Sequence, residues 1–203
     1  TLLASSAASD VYKRQVNGGA TVKIVDNSKD FADTQNHWAK DAIDFVSARG
    51  VVNGMSATIY APNASTTRAQ LWTILARQND ADLADGSIWY EKAQAWAKEK
   101  GISDGANPNG TINRAQMVTM LYRAAGSPEV EGASAFTDIS ADSYYAKAAA
   151  WAAKNGITAG VGNGKFEPNG TCTRGQIVTF LYRAAGSPAG YANSGYTDVP
   201  ETS

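Results

Sequence analysis

Three short segments of the chain share one pattern: Thr-Arg-Ala-Gln at residues 67–70, Asn-Arg-Ala-Gln at 113–116 and Thr-Arg-Gly-Gln at 173–176. In each, a good helix-capping residue stands three positions before a Gln that can reach back to the backbone of the cap. Apolar residues follow at offsets of three and four, which places them on one stripe of a helix. These are Leu71, Ile74 and Leu75, then Met117, Met120 and Leu121, then Ile177, Phe180 and Leu181. The sequence therefore predicts the same helix start three times.

Each segment carries an arginine at the first helical position: Arg68, Arg114 or Arg174. A cation is mildly disfavoured there, by ~0.3–1 kcal/mol when exposed, because the helix dipole is positive at this end. A helix start also offers N–H groups to an anion, and a guanidinium adds a two-pronged donor. We therefore interpret the three arginines either as anion sites or as partners of internal carboxylates such as Asp33 or Asp138. The helix start alone favours neither.

A second helix, led by an aromatic residue, precedes each arginine segment. The first copy is predicted from about residue 37 to residue 49, with Trp38, Ala42 and Val46 on its apolar stripe. Aromatic residues at this spacing usually belong to a core. We therefore expect the three leading aromatics to be at least partly buried, each with a ring edge free to line a groove. They are Trp38, Trp89 and Tyr144.

Glycine follows each of these helices at 50, 101 and 156, where a left-handed cap residue belongs. A proline then stands six positions before the arginine in every copy, at 62, 108 and 168. The second copy has a shorter loop and only a weak echo, at 83–85, of the Phe-x-Asp opening found at 31–33 and 136–138. Cys172 precedes the third cap, so we expect a small apolar filler there, and we expect His37 to be a first-turn surface residue.

These correspondences divide the chain into repeats at 28–80, 81–132 and 133–188, the second with the shortened loop. Residues 1–27 are predicted to be a leader outside the repeats, and 5–15 look like translated sequencing adapter. The chain has no recognisable secretory signal at its start, but beside adapter sequence that absence carries no information. Residues 189–203 are expected to be a linker or the start of a further repeat.

Composition narrows the function classes. The 203-residue chain has a formal charge of −1, which argues against the basic field of a nucleic-acid binder. No apolar run approaches the ~20 residues of a membrane span. One Cys and one His cannot form an internal disulfide or a zinc cluster. An anionic partner must therefore be held by local sites, and we expect neither cofactor nor metal.

Each unit of about fifty residues is too small to bury a core alone, so the units should pack on one another. The arginine-headed helices are the more apolar set and are expected to meet at the centre. The grooves between units would then combine a cation, helix N–H groups and an aromatic face. That combination suits an acidic sugar, whose carboxylate or phosphate binds the guanidinium while its ring packs on Trp or Tyr.

The ordered set of motifs resembles the S-layer homology repeat over residues 31 to about 188. The matching pieces are Phe-x-Asp, the aromatic-led helix, Gly-apolar-x-x-Gly, aromatic-x-Pro, and a Thr-Arg-Ala-Gln similar to the family's Thr-Arg-Ala-Glu. The resemblance implies an all-α fold, a three-repeat pseudo-threefold spindle with a central three-helix bundle. The neutral Gln and the Ala-Ala-Gly-Ser-Pro linkers are similar to versions from gut-dwelling Firmicutes.

The resemblance also implies a function: extracellular anchoring to a secondary cell-wall polysaccharide, often pyruvylated, on behalf of a separate effector domain. The implied ligand-binding residues lie in the inter-repeat grooves and are Arg68, Arg114, Arg174, Gln70, Gln116, Gln176, Trp38, Trp89 and Tyr144. The alternative is a structural module for protein assembly that binds no glycan. An enzyme is disfavoured because a glycosidase needs two fixed carboxylates, whereas here the acids vary between units and the arginines recur.

Overall fold

A computed structural model describes residues 27–132 and 134–188. Its helices fall into three pairs, one pair per predicted repeat, and the described residues contain no sheet. The all-α prediction is confirmed. The predicted leader and the 189–203 segment lie outside the described residues, apart from residue 27. The six helices are α1 Lys40–Ala48, α2 Arg68–Gln78, α3 Glu91–Glu99, α4 Arg114–Ala124, α5 Ala146–Lys154 and α6 Arg174–Ala184.

The three pairs interlock in a ring. Each arginine-headed helix packs mainly against the aromatic-led helix of the following unit, α2 on α3 and α4 on α5. The ring closes because α6 of the third unit packs against α1 of the first. A direct but smaller contact joins α2 and α4. Each unit therefore buries its apolar faces on both neighbours.

A cycle of backbone hydrogen bonds joins the residues just before the three helix caps. The N–H of Thr66 donates to Cys172 O at 3.3 Å, that of Cys172 to Ile112 O at 3.0 Å, and that of Ile112 to Thr66 O at 2.9 Å. All three side chains are buried. The position assigned to Cys172 as a packed filler is thus confirmed, and burial raises the pKa of its thiol to about 12.

The arginine-headed helices supply the centre of one contiguous core, as expected. Most of the eleven residues in each are buried. Their fully buried side chains include Leu71, Trp72, Leu75, Met117, Val118, Ile177 and Val178.

The aromatic-led helices begin later than the sequence indicates. The first starts at Lys40 rather than near residue 37, so Trp38 precedes it in a turn. The predicted glycine caps are confirmed, with φ of 67°, 66° and 67° at Gly50, Gly101 and Gly156. No helix in the described ranges has the length and hydropathy needed to cross a membrane.

Candidate functional site

The three helix starts are capped as the sequence indicates. Thr67, Asn113 and Thr173 each accept a hydrogen bond from the backbone N–H three residues on, and the Gln there accepts one from the N–H of the cap. The Oε1 atoms of Gln70, Gln116 and Gln176 lie 2.9, 3.2 and 3.0 Å from the backbone N of their cap residues. These oxygens therefore have a structural role in the helix caps.

The remaining N–H groups of the helix starts are not available to an anion, which corrects the sequence interpretation. The N–H of Arg68 donates to Gly110 O and the next N–H to Pro108 O, both 2.9 Å away in the following unit. The starts of α4 and α6 repeat this arrangement with Gly170 and Pro168, and with Ala64 and Pro62. These donors join the units, so any anion site must rely on side chains.

Each arginine side chain also reaches into the following unit. The Nε–H groups of Arg68, Arg114 and Arg174 donate to backbone carbonyls. The acceptors are Ala106 at 2.8 Å, Phe166 at 2.6 Å and Tyr60 at 2.9 Å. The guanidiniums of Arg114 and Arg174 further lie over the Phe166 and Tyr60 rings, 4.7 and 4.5 Å from their centroids.

The second arginine donor differs between the junctions. Nη2 of Arg68 lies 2.5 Å from a carboxylate oxygen of Asp104 and also donates to the Ser103 hydroxyl at 3.0 Å. At the other junctions Arg114 Nη2 lies 3.5 Å from the Thr158 hydroxyl, and Arg174 Nη2 lies 2.8 Å from Asn53 O. Arg114 and Arg174 are 4% and 7% exposed, and neither forms an ion pair with the described residues. Two of the arginines are thus bound by neutral oxygens.

The carboxylates that the sequence offered as arginine partners have another role. Asp33 accepts hydrogen bonds from the N–H groups of Tyr60 and Ala61, and Asp138 accepts them from Phe166 and Glu167, at 2.7 to 2.9 Å. The pairing of arginine with Asp33 or Asp138 is therefore wrong. These acids fix the loops whose carbonyls receive the arginines.

The leading aromatics are not core residues. Trp38, Trp89 and Tyr144 are 63%, 62% and 65% exposed, which corrects the expectation of partial burial in a helical stripe. Each stands in the turn before its helix rather than on the buried face. Much of the surface of each ring is therefore accessible to a ligand.

One cavity of about 350 Å³ brings predicted residues from all three units together. Arg68 of the first unit, Gln116 of the second and Tyr144 of the third line it. Burial raises the pKa of the Tyr144 hydroxyl, while the charges of Arg68 and Arg123 act in the opposite direction. Arg123 and Asp104 also line the cavity, which therefore combines two cations and one carboxylate with an exposed ring.

Sequence reasoning missed Arg123, which also lines this cavity. In the sequence, Arg123 fits a helix stop signal, which is a cation in the last helical turn before Gly, and this gave it no binding role. A usable signal was present, because Gln116, Thr119, Met120 and Arg123 lie at i, i+3, i+4 and i+7 on one helix face. All four line the cavity.

His37 is half-buried at a unit junction, which corrects its prediction as a surface residue of a first helical turn. Its Nδ1 accepts the N–H of Ala39 at 3.2 Å, and Nε2 lies 3.3 Å from Asn63 Oδ1. A Cβ placed on Gly175 would lie 3.1 Å from the His37 ring. The ring thus occupies room that an alanine methyl would need.

Comparison with protein families matches the S-layer homology domain at residues 30–71 and 135–178. These segments fall in the first and third units. The second unit, with its short loop and weak Phe-x-Asp echo, has the same helix pair in the structure without a match of its own.

Several relatives align with most of the chain. An amylopullulanase from Thermoanaerobacterium thermosulfurigenes is 33% identical over 174 residues, covering 76% of this chain and 9% of the relative. Exoglucanase XynX from Acetivibrio thermocellus is 32% identical over 179 residues, covering 78% of this chain and 16% of the relative. An S-layer protein from Bacillus thuringiensis subsp. finitimus is 28% identical over 200 residues, covering 86% of this chain and 24% of the relative. The chain therefore spans less than a quarter of the length of these relatives.

Proposed function

The chain belongs to the S-layer homology family, and from that premise we propose that it is a non-catalytic module that anchors a longer protein to the bacterial cell surface. Its ligand would be an anionic wall polysaccharide, for which a pyruvylated glycan is the leading candidate. Relatives named as S-layer proteins and as polysaccharide-degrading enzymes support this, since each is at least about four times longer than the matched segment. A separate effector domain would carry the activity of the whole protein.

The observation that carries the proposal is the cavity shared by Arg68, Arg123, Gln116 and Tyr144. A guanidinium binds a carboxylate by charge-assisted hydrogen bonds, and an exposed aromatic face packs against the C–H groups of a sugar ring. Both features stand in one recess at the meeting of three units. An acidic carbohydrate is the ligand class that uses both.

Trp38 and Trp89 occupy the positions of Tyr144 in the other two units and are equally exposed. The proposal extends to them because each unit repeats the same helix pair, with a cation at the head of its second helix. At these two junctions Arg114 and Arg174 are nearly buried, so they would act by holding the groove in shape and by their positive charge, while the exposed ring would contact the ligand.

The test is co-sedimentation with protein-free cell walls, prepared from the Bacillus and Acetivibrio species in which the relatives occur. Replacing Trp38, Trp89 and Tyr144 together by Ala should abolish retention, because the stacking faces are lost, while the exposed positions leave the core intact. The matched control replaces Met55 and Val161, two exposed apolar loop residues, by Ala and should be retained like the unsubstituted protein.

Replacing Arg68, Arg114 and Arg174 together by Ala should also abolish retention. Because these arginines join the units, far-UV circular dichroism must show that the variant is folded. If it is not, the aromatic variant decides the question. Undiminished retention of a folded aromatic variant would reject the site.

Concentration-dependent oligomers in sedimentation velocity, with no wall retention by the unsubstituted protein, would favour the assembly alternative.

A further inference from the structure

A carboxylate lies beside the arginine at one of the three unit junctions. Asp104 occupies the third position after the cap glycine of the second unit, where the first unit has Asn53 and the third has Ala159. Its Oδ1 lies 2.5 Å from Arg68 Nη2. The corresponding donors of Arg174 and Arg114 meet a backbone carbonyl and a threonine hydroxyl.

The short loop of the second unit explains why the acid stands there. In the other units the N–H of Tyr60 or Phe166 donates to the Phe-x-Asp carboxylate, Asp33 or Asp138. The equivalent N–H in the second unit, that of Ala106, donates to Asp104 Oδ1 at 3.0 Å. The loop-fixing carboxylate thus comes from within the loop, and this brings it into contact with Arg68.

Asp104 lies at the open side of this contact. Its side chain is 70% exposed, whereas that of Arg68 is 11% exposed. Both residues line the cavity that also contains Arg123, and Arg123 donates to the Ile102 carbonyl at 3.3 Å. The charged residues lining the cavity are therefore two cations and one acid, and the acid is closer to solvent than the cation it neutralises.

We propose that Asp104 is a specificity-determining residue that competes with an acidic ligand for Arg68 and weakens binding in this groove. The inference rests on the proposed function, since it concerns the same cavity. An incoming carboxylate meets Asp104 as a like charge and must share or displace its contact with Arg68. Because Asp104 is the exposed partner, a ligand can displace it from the solvent side, but a penalty in affinity remains.

The test measures the apparent Kd for polysaccharide released from the same cell walls. Asp104→Asn keeps an oxygen acceptor for the Ala106 N–H and removes the charge. We expect binding roughly threefold tighter, the effect of one unit charge at ~6 Å in a water-like dielectric. Asp104→Ser, which also keeps an acceptor, should tighten binding in the same direction. The gain should shrink in 0.5 M salt because screening weakens the repulsion.

The matched control is Glu131→Gln, which makes the same charge change at an exposed position in the connection between the second and third units. It should leave Kd unchanged. If the unsubstituted protein binds but neither Asp104 variant binds more tightly, or if the control tightens equally, this inference is overturned while the proposed function stands. If the unsubstituted protein does not bind, both fall.

Discussion

Arg114 and Arg174 show how a nearly buried cation can be satisfied without an acid. A charge removed from water requires hydrogen-bond partners, and main-chain carbonyls provide them here. The aromatic rings beneath add a cation–π contact at 4.7 and 4.5 Å. Because the carbonyl partners belong to the next unit, each arginine contributes to the junction as well as to any ligand site.

His37 and Gly175 lie close together across the junction of the third and first units. The other units have Ile88 or Ser143 at the first position and Ala69 or Ala115 at the second. In addition to the His37 ring, a Cβ on Gly175 would meet Pro62 O at 3.3 Å. At this junction the His37 ring is the nearest atom group to the methyl that the other two units carry.

We predict that Gly175→Ala and His37→Ser are non-additive in the free energy of unfolding. Ala is better than Gly in a helix by ~1 kcal/mol, but crowding by His37 should cancel most of that gain. In the His37→Ser background a larger part of that gain should appear, because the nearest crowding group is removed. Urea unfolding of the two single variants and the double variant measures the coupling. Strict additivity would contradict the contact.

At the scale of elements, a loop held by a carboxylate positions the acceptor for each junction arginine. In the third unit the N–H groups of Phe166 and Glu167 hold the pKa of Asp138 below its ordinary value of 3.8. A carboxyl with a lowered folded pKa contributes stability above its unfolded pKa, and that contribution is lost as the pH falls through the folded value. The loop should therefore weaken below pH 3.8.

Asp138→Asn is expected to lower the free energy of unfolding at pH 7 by about 1 kcal/mol, since the charge and one of the two accepting oxygens are lost at a partly exposed position. The difference from the unsubstituted protein should shrink at pH 3 and below, where protonated Asp resembles Asn. Urea midpoints at the two pH values measure it. Asp142→Asn, which makes the same change at an exposed position before α5, is the control and should leave the urea midpoint at pH 7 unchanged.

At the scale of the whole molecule, the repeats close on themselves. In an open solenoid a terminal unit can be removed with little effect on distant ones. Here α1 packs on α6, and the backbone cycle needs Thr66, Ile112 and Cys172 together. Ile43 of α1 is fully buried in the same core, so the third unit covers part of the first.

We therefore predict that a chain of residues 27–132, lacking the third unit, loses cooperative folding or associates through its exposed faces. A chain of residues 27–188 should unfold in one transition. Far-UV circular dichroism and size-exclusion chromatography distinguish these outcomes. A monomeric 27–132 fragment with full helicity and a sharp urea transition would show that ring closure is not required.

The sequence by itself determined the local features: three capped helix starts, three left-handed glycines, the buried faces of the inner helices and the filler role of Cys172. These follow from interactions within a few residues, such as the Thr67–Gln70 capping box, and from apolar spacing. It also named Arg68, Gln116 and Tyr144 among the residues of the inter-repeat grooves, but that these three line the same cavity is known only from the structure.

Only the tertiary structure decided what the arginines and helix starts contact. Their acceptors are carbonyls of the next unit, at sequence separations as large as the 114 residues between Arg174 and Tyr60, which no local pattern encodes. The tertiary structure also decided the exposure of Trp38, because a turn precedes α1. It decided the contact between Asp104 and Arg68 as well, because in the shortened loop of the second unit the carboxylate that fixes the loop comes from within it. Partners that distant in the chain are chosen by packing and ring closure rather than by local preference.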